Sequence, residues 1–212
     1  RWRSPRHTLR PPTDSSGLDP FHLRRIGGDR FAGRPTLPHV ARRGDSWPDG
    51  DPPLPSPPMK IGVLGATGPA GSGLAARLSS VGYEVWIGSR SKYRAMEVVD
   101  GIKDRWPDKV LNLHAGDNED AARADVVVVA TPWDAAAATV MPLADLLAGK
   151  VVISMANALA KVAHEFQPLV PPRGSVAASI QAAIPKSLVS AAMHHVPAKE
   201  LGDLANPVES DV

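Results

Sequence analysis

Residues 60–71 read Lys-Ile-Gly-Val-Leu-Gly-Ala-Thr-Gly-Pro-Ala-Gly, and this stretch decides the fold. The apolar run at 61–64 is typical of a buried parallel strand. A loop of glycine and other small residues follows, before a helical pattern begins: Gly65, Ala66, Thr67, Gly68, Pro69, Ala70 and Gly71. A strand, a glycine-rich loop and a helix in this order predict a dinucleotide site, because the helix N-terminus offers free N–H groups to the pyrophosphate.

The loop departs from the usual G-x-G-x-x-G pattern at one position. When it is aligned on Gly68 and Gly71, Ala66 occupies the first glycine position and Gly65 precedes it. Gly68 is expected to let the backbone approach the pyrophosphate, and Gly71 to let the helix pack closely on the strand. The alternative is a tight turn in an α/β domain that binds nothing, since its glycines would look similar.

Strand and helix patterns alternate along residues 59–212. The predicted strands are 60–64, 84–89, 110–114, 125–131, 150–154 and 187–193. The predicted helices are 68–81, ending at Gly82, then 91–105, 118–123, 133–147 and 176–183. Alternation of this kind predicts βαβ units with right-handed crossovers. The fold class is therefore α/β, a Rossmann-like doubly wound domain with a mostly parallel sheet.

Residues 1–58 differ in composition from the rest of the chain. They contain 12 of the 22 prolines and ten arginines without a lysine, and they show no periodicity. Such a segment cannot bury enough apolar surface to offset its ordering entropy, so we predict a disordered Pro/Arg-rich tail. The first methionine, Met59, directly precedes the first strand, and our hypothesis is that it is the native start. The alternative is an arginine-rich interaction tail.

Composition excludes several classes of function. The chain has no cysteine, so disulfides, thiolate metal sites and cysteine nucleophiles are ruled out. No apolar run approaches the ~20 residues that span a bilayer, and no signal peptide is visible, so a cytoplasmic location is expected. Residues 59–212 hold 14 basic and 16 acidic residues, which does not support binding to nucleic acid. No spacing of histidines or acids predicts a metal site.

The residues after the second strand favour NADP(H) over NAD(H). An NAD site places a carboxylate there, about 20 residues beyond the glycine loop, to bind the ribose 2′-OH. This sequence has Gly88-Ser89-Arg90-Ser91 instead, with Arg94 one helical turn later. Arg90 can hold the 2′-phosphate through charge-assisted hydrogen bonds, and Ser89 and Thr67 can add hydroxyl donors. The alternative is that both arginines only begin a solvated helix.

Four motifs together carry a resemblance to a known family. They are Gly65–Gly71, Ile87-Gly-Ser-Arg90, Thr131-Pro-Trp133 and His194-His-Val-Pro197. In order and spacing, residues 59–204 resemble the coenzyme F420-dependent NADP oxidoreductases. The resemblance implies hydride transfer between NADPH and the deazaflavin coenzyme F420, with both rings in a cleft at the carboxyl ends of the strands.

The resemblance also implies roles for individual residues. Those implied to bind the 2′-phosphate are Thr67, Ser89, Arg90 and Arg94, where relatives often have lysine at the last position. Those implied to lie beside the ribose and nicotinamide are Thr131, Pro132, Trp133, Ala156 and Asn157. Those implied to line the deazaflavin side are His194, Val196 and Pro197. Two alternatives remain open: Trp133 could pack on the core, and His194 and His195 could have a structural role. Asp134 and the acids within residues 117–120 are interpreted as helix N-terminal charges.

Family members continue beyond the point where this sequence ends. We therefore expect residues 59–212 to form an incomplete NADP-binding domain that lacks part of the deazaflavin pocket, and a homodimer if the C-terminus were complete. One alternative function is a non-catalytic NADP-binding module or inactive fragment. Another is the NADPH-flavin reductase domain of metalloreductases, which the lack of a membrane span disfavours.

Overall fold

Eight strands and seven α-helices lie within residues 59–208, the part of the chain that this computed structural model describes. The strands are β1 (Lys60–Leu64), β2 (Glu84–Ser89), β3 (Leu113–Asp117), β4 (Val126–Val129), β5 (Val151–Ser154), β6 (Leu159–Val162), β7 (Glu165–Pro168) and β8 (Leu188–Ala191). The helices are α1 (Pro69–Ser80), α2 (Lys92–Arg105), α3 (Asn118–Ala122), α4 (Ala136–Val140), α5 (Ala144–Leu147), α6 (Val176–Ala183) and α7 (Ala198–Leu201). The predicted tail, residues 1–58, lies outside the described residues.

Six strands form one sheet in the order β3-β2-β1-β4-β5-β8, and every neighbouring pair is parallel. The order reverses between β1 and β4, which is the switch point of a doubly wound fold. β6 and β7 form a separate antiparallel hairpin. The predicted Rossmann-like fold class is therefore confirmed.

Two apolar clusters cover the two faces of the sheet. On one face, Val63 and Ile87 pack with residues of α1 and α2. On the other face, Leu64 and Val127 pack with residues of α3, α4 and α6. Because the strands bury both faces, they are apolar without alternation, as the sequence predicted. None of the helices described here is both long and apolar enough to cross a membrane.

Helix α1 ends at the glycine that the sequence singled out. Gly82 has a φ of +100°, in the left-handed region that favours glycine. Its N–H donates to the Ser79 carbonyl at 3.0 Å, and the N–H of Tyr83 donates to the Leu78 carbonyl at 3.2 Å. This pair of bonds is a Schellman motif, which satisfies carbonyls at the helix end and turns the chain into β2.

Two predicted elements differ from the structure. The strand predicted at 110–114 is β3 at residues 113–117, because pairing with β2 places Leu113 opposite Val85 and leaves Val110 95% exposed. The helix predicted at 133–147 is divided into α4, a 3-10 turn at residues 141–143 and α5. Pro142 lies in this turn and has no N–H to donate, so the α-helical ladder is interrupted there.

The β6–β7 hairpin and α7 were not predicted from the sequence. The hairpin turn contains Ala163 at a φ of +53°, where hairpin turns usually carry glycine or asparagine. Its strand residues are mostly exposed, so they lack the apolar pattern that would have indicated a strand. Helix α7 has only four residues, too few to show helical periodicity.

Arg77 of α1 attaches the segment around α7 to the body of the domain. Its guanidinium donates hydrogen bonds to four main-chain carbonyls, those of Glu200, Leu201, Asp203 and Asn206. Helix α1 also approaches the end of α7 closely. A Cβ on Gly73 would lie 2.8 Å from the Gly202 nitrogen, so glycine is needed for this contact. One cation therefore donates to four carbonyls at the end of α7 and just beyond it.

Replacing Arg77 should loosen this attachment. We expect Arg77→Ala to lower the free energy of unfolding by about 2 kcal/mol, because hydrogen bonds from a charged donor contribute roughly 1.5–3 kcal/mol each and these are partly exposed. Urea denaturation measures the change. Lys103→Ala removes an exposed cation from α2 and should alter the same free energy by less than about 0.5 kcal/mol. Equal effects of the two variants would show that the bonds do not contribute.

Candidate dinucleotide-binding site

A cavity of about 630 Å³ lies at the carboxyl edge of the sheet. Its walls come from the segments that follow β1, β2, β3 and β4, and from α4. The lining residues are Gly65, Thr67, Ser89, Arg90, Ser91, Arg94, Asn118, Thr131, Pro132, Ala135, Ala138, Thr139 and Pro142. Open parallel sheets bind their ligands at this edge, beside the switch point.

Glycine is suited to each of three positions in the loop at 65–71 for a different structural reason. Gly65 has a φ of +70°, and a Cβ there would overlap the Thr131 side chain. A Cβ on Gly68 would have no atom within 4 Å, so the space above this residue is open to a ligand. A Cβ on Gly71 would lie 2.8 Å from the Ala66 Cα, so only glycine allows α1 to pack this closely on the loop.

Helix α1 presents its N-terminus directly after the loop. Gly68 is the N-cap and Pro69 is the first helical residue, a position where the missing N–H has no cost. The Ser72 N–H donates to the Gly68 carbonyl at 2.9 Å. The amides of Ala70 and Gly71 therefore precede the first intrahelical bond and are free for an anion.

Two arginines and a buried serine line the cavity at the end of β2. The Ser89 hydroxyl accepts a hydrogen bond from the Ser91 N–H at 3.2 Å, which leaves its own proton free to donate. Arg90 and Arg94 are exposed and line the cavity, and within residues 59–208 neither forms an ion pair. No lining residue is a carboxylate. The cavity is therefore positively charged beside Thr67 and Ser89.

Some residues of the segment after β4 line the cavity, and another packs on the core. Thr131 and Pro132 line the cavity, and the Thr131 Oγ1 is shielded from solvent and has no hydrogen-bond partner within residues 59–208. Trp133 does not line the cavity; it is half-buried and packs against the apolar cluster around α4 and α6. The assignment of Trp133 to the cofactor stays a prediction beside this packing contact.

The remaining predicted site residues form a second group, at the ends of β5 and β8. The Asn157 amide donates to the His194 carbonyl at 3.4 Å and so joins the segments that follow these two strands. Ala156 and Val196 pack on the core clusters, whereas Pro197 is exposed and is the N-cap of α7. None of this second group lines the cavity.

The structure adds cavity residues that sequence reasoning missed. Asn118 follows β3 and lines the cavity, and its Oδ1 is shielded from solvent without a hydrogen-bond partner among the described residues. The acids of this stretch were interpreted as helix N-terminal charges, and Asp117 and Asp120 do form a capping box at α3. Asn118 was overlooked because the strand before it was placed three residues too early. Ser91 and four residues of α4 and its flanks were also missed: Ala135, Ala138, Thr139 and Pro142.

Comparison with known proteins shows the family. The family model of coenzyme F420-dependent NADP oxidoreductases matches residues 60–158. The F420-dependent NADP reductase of Methanocaldococcus jannaschii is 36% identical over 159 residues, which cover 73% of this chain and 71% of the relative. This chain belongs to the coenzyme F420-dependent NADP oxidoreductase family. The reductase of the same name from Methanothermobacter marburgensis is 31% identical and covers 72% of this chain and 70% of its own length.

Solved structures agree with this family fold. A chain from Arthrobacter sp. FB24 matches with a TM-score of 0.55 at 31% identity, over 66% of this chain. A hypothetical protein from Sinorhizobium meliloti, SMa0349, matches with the same TM-score at 26% identity, over 69% of this chain. This chain covers 65% and 66% of these two proteins, just under two thirds of their length.

The range matched by the family model includes all of the cavity residues but only part of the second group of site residues. Its range, residues 60–158, contains every residue that lines the cavity. It also contains Ala156 and Asn157, but it ends before His194, Val196 and Pro197. The cavity is therefore the part of the site that lies entirely within the range matched by the family model.

Proposed function

We propose that this chain is an oxidoreductase that transfers a hydride between NADPH and coenzyme F420. The observation that carries the proposal is a cavity lined by Gly65 and Thr67 of the phosphate loop and by two arginines, Arg90 and Arg94, that form no ion pair within residues 59–208. The free N-terminus of α1 follows the same loop. Two relatives that are 36% and 31% identical are named F420-dependent NADP reductase. Their names support the same pair of cofactors for this chain.

The residues of the cavity fit NADP(H). Its walls contain two guanidinium groups, several hydroxyls and no carboxylate, which is the donor set for a phosphate dianion. A carboxylate in place of Arg90 would repel the 2′-phosphate. NAD sites carry such a carboxylate at the end of the second strand.

We assign the residues of the chain to parts of the cofactors by their position. The loop at 65–71 and the N-terminus of α1 would hold the pyrophosphate. Thr67, Ser89, Arg90 and Arg94 would hold the 2′-phosphate. The residues that would flank the ribose and nicotinamide are Thr131, Pro132, Trp133, Ala156 and Asn157; those that would line the deazaflavin side are His194, Val196 and Pro197.

The protein's contribution to this reaction is binding and orientation. The bound nicotinamide supplies or accepts the hydride, so the chain needs no acid–base pair of its own. The phosphate contacts fix one end of the cofactor, and the Asn157–His194 hydrogen bond holds together the segments after β5 and β8. Holding two reactants in a reactive geometry accounts for a large part of the rate in such transfers.

A second candidate function is an NADP-binding module without deazaflavin turnover. Among the residues assigned to the deazaflavin side, His194 and Pro197 are exposed and do not line the cavity described above. The phosphate end of the site is thus more completely formed than the deazaflavin end. This contrast is the observation that favours the second candidate.

Titration followed by turnover distinguishes the two functions. The purified chain is titrated with NADPH and with NADH, and oxidised coenzyme F420 is then added while its absorbance is followed. The oxidoreductase proposal predicts tighter binding of NADPH and a loss of F420 absorbance. NADPH binding without that loss would favour the module, and equal binding of NADPH and NADH would contradict the assignment of the two arginines.

A further inference from the structure

The outer edge of β8 has no neighbouring strand within residues 59–208, because β8 is the last strand of the six-stranded sheet. The N–H groups of Leu188 and Ala192 donate to carbonyls on the β5 side, at 2.9 and 3.1 Å. Peptide groups along a strand point alternately to its two sides, so the N–H groups and carbonyls of Val189 and Ala191 face away from β5. Another strand could add to the sheet along these backbone groups.

β8 carries no side chain that would protect its own edge. Its sequence, Leu188-Val-Ser-Ala191, contains no charge and no proline. Native proteins usually protect an open edge by keeping the strand short, by a charged side chain, a proline or a bulge, or by a covering segment. At the opposite edge of the sheet, β3 ends with the charged Asp117. Apart from the shortness of β8, its protection has to come from outside the strand.

The side chain of Gln181 covers part of this edge. Gln181 lies in the last turn of α6, and its Oε1 accepts a hydrogen bond from the N–H of Val189 at 3.2 Å. Its Nε2 donates to the carbonyls of Ile184 and Ser187, at 3.2 and 3.0 Å. These three partners fix the orientation of the amide, because only its oxygen can accept and only its nitrogen can donate. One outward N–H of β8 is thus already paired with a side chain.

We propose that Gln181 blocks the addition of a further strand at β8, including the β8 edge of a second copy of this chain. Its amide is the acceptor that an incoming strand would otherwise supply to Val189. To pair there, the strand would have to displace the amide, and all three hydrogen bonds of Gln181 would break. The inference concerns association of the chain and does not depend on the proposed function.

Replacement of Gln181 tests the block through association of the full chain, followed by sedimentation equilibrium. In Gln181→Ala the N–H of Val189 is free and the edge is uncovered. The chain concentration at which half of the molecules are associated should then fall at least about fivefold, which corresponds to one new hydrogen bond. In Gln181→Glu the carboxylate can still accept from Val189 and adds a charge at the edge. This variant loses the two bonds that Nε2 donates, yet it should associate no more than the wild-type chain.

Two further variants separate an uncovered edge from a general loss of stability. Arg77→Ala loses hydrogen bonds to the segment around α7 and leaves Gln181 in place, so it should associate like the wild-type chain. Ser190→Lys adds a charge to the exposed edge strand, and in combination with Gln181→Ala it should restore wild-type association. Wild-type association of Gln181→Ala would overturn the inference. An equal increase in Gln181→Ala and in either Gln181→Glu or Arg77→Ala would overturn it as well.

Hydrogen exchange of the wild-type chain provides a measurement that needs no substitution. The N–H groups of Val189 and Ala191 both point to the open side of β8, and Gln181 accepts from that of Val189. We therefore expect the amide of Val189 to have a protection factor at least about tenfold higher than that of Ala191, because an unpaired amide exchanges without local opening. Equal protection of the two amides would show that Gln181 does not cover the edge, and the inference would be wrong.

Discussion

Gly62→Ala should lower the free energy of unfolding by about 3–5 kcal/mol, at the upper end of what single substitutions do. Gly62 is buried in the middle of β1 and faces α3. A Cβ at this position would lie far inside the normal carbon–oxygen contact distance from the Ala121 carbonyl oxygen. Relief requires the backbone of β1 or α3 to move, because the clashing atom is not at the end of a flexible side chain.

Neither backbone is free to move. β1 is paired along its length with β2 on one side and with β4 on the other. Helix α3 is held at its start by the capping box, and the Lys150 Nζ donates to the Ala122 carbonyl at 2.7 Å. The strain of an added methyl group therefore remains in the folded state, where overpacking is destabilising.

Urea denaturation measures the free energy of unfolding of Gly62→Ala, and Gly101→Ala is the matched control. Gly101 is an exposed residue of α2, and a Cβ there would meet no atom within 4 Å. Gly101→Ala should therefore raise the free energy of unfolding by about 0.5–1 kcal/mol, because alanine favours the helix over glycine. If both substitutions changed stability in the same direction by similar amounts, the close approach of β1 to α3 would be wrong.

The sequence predicted the elements whose signals are local. β1, the glycine loop and α1 each carry their own pattern within residues 60–82, and the structure has all three at the predicted places. The Gly82 stop was predictable because a positive φ is needed there whatever surrounds it. Ser89 and Arg90 were also accessible to sequence reasoning, since their distance from the glycine loop is set by one helix and one strand.

Features that depend on partners distant in sequence were missed. The bounds of β3 follow from its register with β2, in which Asp117 pairs with Ser89, and no local pattern contains that information. Asn118 reaches the cavity as a result of this register. For Trp133 the sequence left a packing role and a cofactor contact open, because its packing against the cluster around α4 and α6 depends on residues distant in sequence. Local sequence can name a residue type for a site but cannot orient its side chain.

Arg90→Ala should weaken NADPH binding by about 10- to 150-fold and leave NADH binding nearly unchanged. The estimate follows from about 1.5–3 kcal/mol for a hydrogen bond to a charged group, with 1.4 kcal/mol for each factor of ten. The guanidinium lines the cavity at the end of β2 and has no ion-pair partner within residues 59–208, so its charge is available to a phosphate. Arg94→Ala should have the same selectivity but a smaller effect, because Arg94 lies one turn further along α2.

Lys92→Ala is the matched control, since this exposed cation lies between the two arginines in sequence but does not line the cavity. It should alter NADPH binding less than about twofold, because exposed charges act weakly through solvent. Fluorescence titration with both nucleotides gives two dissociation constants for each variant, and each is compared with the wild-type value. Equal weakening of NADPH and NADH by Arg90→Ala would show that the guanidinium contacts a part common to both, such as the face of the adenine. In that case the preference for NADP(H) would have to come from Ser89, Thr67 and Arg94 instead.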